Sequence, residues 1–347
     1  MYQPSARPFE IGLFQLLPAP EDRPDGEVID GALRDVVFAE ERGFDSVWIA
    51  EHHASSFGLV GAPSVYAAAV AARTRRVGIG FAVAVVPLHH PLRLAEEIAW
   101  LTHLSGGRIL VGLGPGFAPF EFAAHGVPLE ERRPRFEEGA AILRRLLDGD
   151  ESGWAGRFWT IPPLALRPRP LRSPPFLRAC SSPASAIEAA RQGAGVLLGL
   201  QAPDALGETI AAYRRARSEL GIAAHAIDDE VARFRVLRRV VLAETAFRAE
   251  RDARGALAWE ARAALRLGVS PAGTLDDRAP TAGAILGTPA AALEDLCRLA
   301  ELGIRRVIAW TGFGDLPDAS ARRTLELLAD EVIPALRRTE SMKGECA

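Results

Sequence analysis

The chain has 347 residues with 41 Lys and Arg against 44 Asp and Glu, a formal net charge of −3, and it is 48% hydrophobic. That composition suits a globular chain with a large core, offers no electrostatic attraction for nucleic acid or an anionic membrane, and contains no apolar run of transmembrane length. Its one lysine, Lys343, falls in a polar tail at 339–347, which excludes Schiff-base aldolases, pyridoxal enzymes and P-loop nucleotidases, all of which need a positioned lysine.

Residues 9–16 read as a first strand. Ile29, Leu33, Val36, Val37 and Glu40 then share helical spacing, the apolar members forming an inward stripe, and Gly43 ends that helix before a short apolar strand at 45–50. A helix at 63–74 leads into a strand at 77–86. The helix at 91–104 opens on Pro91, turns Leu94, Ile98 and Leu101 inward and pairs Arg93 with Glu97. Gly107 precedes a strand at 108–113, and a helix follows at 132–147. After a stretch rich in proline and arginine come strand 176–180, helix 182–192, strand 196–200 behind Gly193, and helix 203–220. Strand 234–243, helix 245–267, helix 289–302, strand 305–310 behind Gly303, and helix 318–337 complete the series.

Short apolar strands alternating with helices call for a parallel sheet covered on both faces. The count approaches eight of each, which favours a closed (β/α)8 TIM barrel with insertions over an open sheet. A single domain is expected over 1–338, with excursions near 151–175 and 268–286. The second excursion reads equally as a lid or as a plain surface insertion.

Glu51-His52-His53 closes the 45–50 strand, at the end where a parallel barrel places its chemistry. Alternation sends His52 to the face opposite Glu51 and His53. Buried or capping histidines are one reading; a proton donor or acceptor at the barrel mouth is the other. His89-His90 near the next strand's end raises a metal reading. Adjacent histidines on a strand cannot both reach one ion, however, and no further ligand set completes a shell, so no metal is expected. Cys180-Ser181-Ser182-Pro183-Ala184-Ser185 opens a helix with Ser182 as N-cap and Pro183 at N1: either an anion site suited to a phosphate or a simple cap. Gly112-Leu113-Gly114-Pro115-Gly116 is not a dinucleotide fingerprint. Its glycines would let a flat ligand approach the backbone, or would make a bare rim turn. The cysteines Cys180, Cys297 and Cys346 are odd in number and far apart, and no signal peptide is visible, so a reducing cytoplasm is expected.

From about residue 9 to 337 the chain resembles the bacterial luciferase-like monooxygenases, a family of flavin-dependent barrel enzymes. The most specific text is Gly43-Phe44-Asp45-Ser46-Val47-Trp48-Ile49-Ala50-Glu51-His52-His53 with Phe57-Gly58 and Pro63, followed by Pro87-Leu88-His89-His90-Pro91 and Ser105-Gly106-Gly107-Arg108. Ser181-Ser182-Pro183, Gly287-Thr288-Pro289 and Glu331-Val332-Ile333-Pro334 continue it in order. The resemblance implies reduced FMN at the barrel mouth, reaction with O2 to a C4a-hydroperoxide, and oxygenation of a small organic substrate. It also implies a separate NAD(P)H:flavin reductase and a homodimer formed through helices 63–74 and 91–104. His52 matches the family's catalytic histidine, with Glu121 a second acid candidate. Ser181, Ser182, Ser185 and Arg133 would hold the phosphate. Ala82-Val83 falls where some members carry a non-prolyl cis peptide against the flavin ring. Phe14, Phe57, Phe117 and Trp310 would wall the pocket.

Two positions depart from the family pattern: Pro115 stands where luciferase has a phosphate-binding arginine, and Ser181 replaces an acidic residue. Light emission therefore does not follow. The rival readings are F420-dependent hydride transfer on the same fold, a flavin-binding protein without turnover, and a metal-dependent hydrolase.

Overall fold

Eight parallel strands close into a cylinder in the computed structural model, which describes residues 9–338 apart from 22, 270–280 and 282. In chain order the barrel strands are β1 (Glu10–Gln15), β2 (Ser46–Ile49), β3 (Gly78–Val85), β4 (Ile109–Gly114), β7 (Phe176–Cys180), β8 (Gly195–Leu198), β9 (Arg235–Leu242) and β11 (Arg306–Trp310). β1 pairs with β2 on one edge and with β11 on the other, which closes the sheet. Between β4 and β7, the antiparallel pair β5 (Trp154–Ala155) and β6 (Thr160–Ile161) occupies the excursion expected near 151–175. A further strand, β10 (Ile285–Gly287), runs parallel to the C-terminal half of β9. The excursion expected over 268–286 therefore ends in a strand, a run of three residues being too short for alternation to reveal. Residues 270–280 and 282, and the tail 339–347 with Lys343, lie outside the described residues.

Alternation along the strands decides what fills the cylinder. Trp48 of β2 points inward, is 0% exposed, and donates its indole N–H to Ser46 Oγ at 2.8 Å. Gly12 on β1 and Gly80 on β3 flank it, and a Cβ at Gly80 would come within 2.3 Å of the indole ring. The barrel is thus plugged by one large ring that fits because its neighbours have no side chain. Arg235 of β9 lies over that ring, its guanidinium carbon 5.1 Å from the centroid. Above this plug, toward the C-terminal ends of the strands, the interior opens.

Outside the cylinder two apolar clusters seal strands to helices. One joins β2, β3 and β4 to α1 (Asp25–Glu41), α2 (Pro63–Arg73), α3 (Pro91–Leu104) and α5 (Arg132–Leu147), through residues such as Val36, Val70, Ile98 and Leu143. The other joins β8 and β9 to α6 (Pro183–Arg191), α7 (Pro203–Glu219), α8 (Ala224–Val231), α10 (Pro289–Glu301) and α11 (Asp318–Leu327). The Arg93–Glu97 pair forms at 2.9 Å, and Leu94, Ile98 and Leu101 are buried as their spacing requires. Ile29, expected on the inward stripe of α1, is instead 38% exposed; Val28, one position round the helix, takes the buried place. α4 (Pro119–Ala124) and α8 were not foreseen, being too short to show a helical period. No helix among the described residues is long and apolar enough to cross a membrane.

Candidate active site

β2 ends at Ile49, and the next four residues turn into the barrel mouth with Glu51 and His53 on one side and His52 on the other. His52 Nδ1 lies 2.8 Å from Glu121 Oε1, a carboxylate supplied by α4 and 1% exposed. The same oxygen accepts the backbone N–H of His53 at 3.0 Å. An ionised carboxylate can only accept, so with Glu121 in that form Nδ1 of His52 is the donor in this pair. Nε2 is left for the cavity. The imidazole is held edge-on by Phe57 and Phe117, with ring centroids at 4.7 and 5.8 Å.

Glu51 lies 3% exposed behind this pair and accepts from His53 Nε2 at 2.9 Å, His89 Nε2 at 2.8 Å and the Val85 N–H at 2.9 Å. Burial alone would raise its carboxyl group. The hydrogen bonds from His53 and His89 outweigh burial, aided by the His89 charge and the Val85 amide, and hold it at about 2. Burial pulls His89 down, but the bond to Glu51 leaves it above its ordinary value. This knot ties the end of β2 to Val85 at the end of β3, two residues beyond the cis Ala82–Val83 peptide. His90, by contrast, is exposed at the start of α3.

The mouth encloses a cavity of about 1170 Å³. His52, Glu121, Ala82, Val83, Gly114, Arg133, Ser181, Ser182 and Ser185 all line it, as do the four aromatic residues expected to wall it. Its composition is polarised. Phe14, Leu16, Phe57, Leu237, Ile308 and Trp310 give an apolar side, with Phe14 and Trp310 edge-to-face at 5.3 Å.

The opposite side is formed by the turn entering α6. There Ser182 Oγ accepts from the Ser185 N–H at 3.4 Å, and Ser185 Oγ accepts from the N–H groups of Ser182 and Ser181 at 3.1 and 3.2 Å. Both hydroxyls are thus engaged in the cap, and the positive end of the helix dipole faces the rim. Arg133, in the first turn of α5, is exposed there with no ion pair or hydrogen bond among the described residues.

The glycines at the end of β4 and just after it have neighbours in the protein itself. A Cβ at Gly112 would strike the Phe81 carbonyl at 2.1 Å, and one at Gly114 would strike Val83 at 2.6 Å. Gly116 has φ +69 and would meet Val85 at 2.6 Å. Close approach of β3 accounts for them before any ligand is considered.

Two charged pairs lining the cavity escaped the sequence reading. Arg178 of β7 bonds Glu137 of α5 through Nη1 and Nη2, the Nη1 contact at 2.8 Å. Burial opposes ionisation of both, and the pairing wins, raising Arg178 and lowering Glu137. Arg239 of β9 is bound to Glu260 of α9 (Ala246–Arg266), with Nε 3.0 Å from Oε2. The available signal was charge on otherwise apolar strands, Arg239 at an inward position of β9 and Arg178 on the outer face of β7 toward α5.

The family profile described as luciferase-like monooxygenase matches residues 9–306. The limonene 1,2-monooxygenase of Rhodococcus erythropolis is 29% identical over 330 residues, 91% of this chain and 84% of that protein. Three other curated relatives match more strongly over shorter segments, so that the chain spans only 33–48% of their length. Among solved structures, a monooxygenase, RslO1, from Streptomyces bottropensis superposes with TM-score 0.83 at 29% identity, covering 94% of this chain and 99% of that one. Two others show the fold alone. The oxygenating constituent of 3,6-diketocamphane monooxygenase from Pseudomonas putida, in complex with FMN, has TM-score 0.78 at 22% identity, covering 94% and 99%. An F420-dependent secondary alcohol dehydrogenase has TM-score 0.76 at 20% identity, covering 95% and 99%. A parallel barrel with a polarised cavity at its C-terminal mouth defines the class. The chain belongs to the luciferase-like monooxygenase family.

Proposed function

We infer that this chain is a flavin-dependent monooxygenase that takes reduced FMN from a separate NAD(P)H:flavin reductase and oxygenates a small organic substrate. The single observation that carries the reading is the His52–Glu121 pair, set in a cavity whose far rim holds a helix N-terminus and Arg133, with neither His52 Nε2 nor Arg133 partnered among the described residues. Those residues fit a flat, phosphate-tailed cofactor. The α6 N-terminus and Arg133 supply the anion end, and the Ala82–Val83 peptide with Gly114 gives a flat wall. When bound, reduced flavin supplies the electrons that activate O2.

The protein's own contribution is placement, proton control and exclusion of water. Phe57 and Phe117 hold the His52 ring, and Glu121 fixes its tautomer, so Nε2 can take or return one proton at the reacting centre. Glu121 was expected as a second acid. With Oε1 committed to His52 and to the His53 amide, it is better read as the group that positions His52. The apolar wall keeps bulk water from the reactive site. Val65, Trp100 and Leu104 are exposed by 71, 59 and 55% on α2 and α3, which supports a homodimer through those helices.

The test mixes wild-type and His52→Ala protein separately with reduced FMN and reduced F420, using alkyl aldehydes, cyclic ketones and thioethers as probe substrates. O2 uptake, H2O2 release and product are followed. Wild type should couple O2 uptake to product with FMN. The variant should lose roughly 10²–10⁴-fold in coupled rate, as for a removed acid–base group, while still binding FMN. Product formed at the parent rate by the variant would remove His52 from the chemistry, and turnover with F420 alone would overturn the cofactor.

A further inference from the structure

Within the cavity the Arg239–Glu260 pair does work that neither the cofactor nor the proton chemistry requires. Arg239 is 2% exposed and Glu260 4%, and both line the cavity. The guanidinium spends Nε and Nη2 on the two carboxylate oxygens. Its carbon sits 5.2 Å from the centroid of Trp310 and 5.9 Å from that of Phe313. Nη1 has no hydrogen-bond partner among the described residues, yet it is not one of the sealed, unsatisfied polar atoms. Arg239 lines the cavity together with Leu237, Ile308 and Trp310, which leaves its two Nη1 N–H donors available to a ligand there.

Stability does not explain this arrangement. A buried ion pair against apolar walls is seldom better than hydrophobic residues of the same volume. Location also separates it from the other functional groups. Around the barrel, β9 is three strands from β2, which leads to His52, and two strands from β7, which leads to the serine turn. The pair as a unit is neutral, which decides what it can receive. An anion would gain the guanidinium but meet the Glu260 carboxylate beside it. A hydrocarbon would leave two buried donors unmet. An uncharged oxygen acceptor satisfies both donors without adding charge.

We propose that Arg239, held by Glu260, is a specificity-determining residue that binds a neutral carbonyl-type oxygen on an otherwise apolar substrate. The proposal rests on the monooxygenase reading for what happens to that substrate, but the binding step stands apart from it.

The test uses three ligands of matched shape, cumene, acetophenone and benzoate, whose affinities for the full-length protein without flavin are measured by calorimetry. FMN affinity is measured separately. Because Arg239→Met alone would strand Glu260 as an unpaired buried carboxylate, the variant is the double change Arg239→Met, Glu260→Leu, with its fold checked by circular dichroism. The ratio of acetophenone to cumene affinity should fall roughly 10- to 100-fold in the double variant, the range for a hydrogen bond to a charged donor. Glu260→Gln leaves the guanidinium uncompensated and should raise benzoate affinity relative to acetophenone by about tenfold or more, an inversion that a merely structural pair would not produce.

An unchanged ketone-to-hydrocarbon ratio in the double variant would overturn the proposal. So would benzoate unaffected by Glu260→Gln, or wild type that binds none of the three. FMN affinity that collapses in the double variant would assign Arg239 to the cofactor instead and overturn it as well. A protein that shows the ketone preference but never oxygenates would refute the monooxygenase reading and leave this one standing.

Discussion

Glu51→Gln isolates the knot behind His52, because it keeps the shape of the side chain and removes only its charge and one acceptor. In the folded protein the Glu51 carboxyl is held at about 2 against an ordinary 4.5. At about 1.4 kcal/mol per pH unit, that difference corresponds to about 3 kcal/mol of folding stability. The sign follows from the direction. A depressed carboxyl stabilises the fold fully above about pH 4.5, and the contribution drains away as pH falls toward 2, because the unfolded chain takes up the proton first.

His89, raised by the same contact, works the other way: its share is complete below its ordinary 6.5 and is lost as pH climbs through its raised folded value. Guanidinium unfolding at pH 7 and pH 3 therefore gives two numbers. The variant should be less stable by about 3 kcal/mol at pH 7 and by about 1 kcal/mol at pH 3, where most of the wild-type benefit has already been titrated away. An equal deficit at both pH values would mean that packing, not charge, holds the knot. No deficit at pH 7 would mean that the three donors do not stabilise the carboxylate at all.

Gly80→Ala should destabilise the barrel by about 1–3 kcal/mol, read as a lower thermal midpoint, because its Cβ falls 2.3 Å from the immovable Trp48 ring. Gly255→Ala, on the exposed face of α9 with nothing within 4 Å, is the control and should be neutral or stabilising by up to about 1 kcal/mol; equal effects at the two sites would refute the steric account. Burial pushes the Cys180 thiol up to about 11, against the pull of Arg178, while Cys297 is exposed. Iodoacetamide at pH 8 followed by peptide mass spectrometry should mark Cys297 and spare Cys180, and comparable labelling of both would contradict the burial of Cys180.

The barrel was legible in the sequence because its signals are local. Glycine after a helix, an apolar run too short for a surface helix, and proline opening the next helix recur from Gly43 to Trp310. Much of the candidate site was legible for the same reason: Glu51-His52-His53 and the serine turn follow strands directly, and alternation correctly parted His52 from its neighbours. What remained hidden was partnership across distance. Glu121 reaches His52 from 69 positions further along, on a helix of six residues that leaves no period to detect. Glu260 reaches Arg239 from 21 positions away, and Gly80 meets Trp48 only once β3 pairs with β2.

Alternation along a single strand says which way a side chain points, but its partner and its depth are set by neighbouring strands. The charged residues of β9 show the consequence. Arg235 and Arg239 share one inward face, yet one rests on the plug ring below and the other borders the open cavity above. Four residues along β9 thus separate a guanidinium against the plug from one open to a ligand.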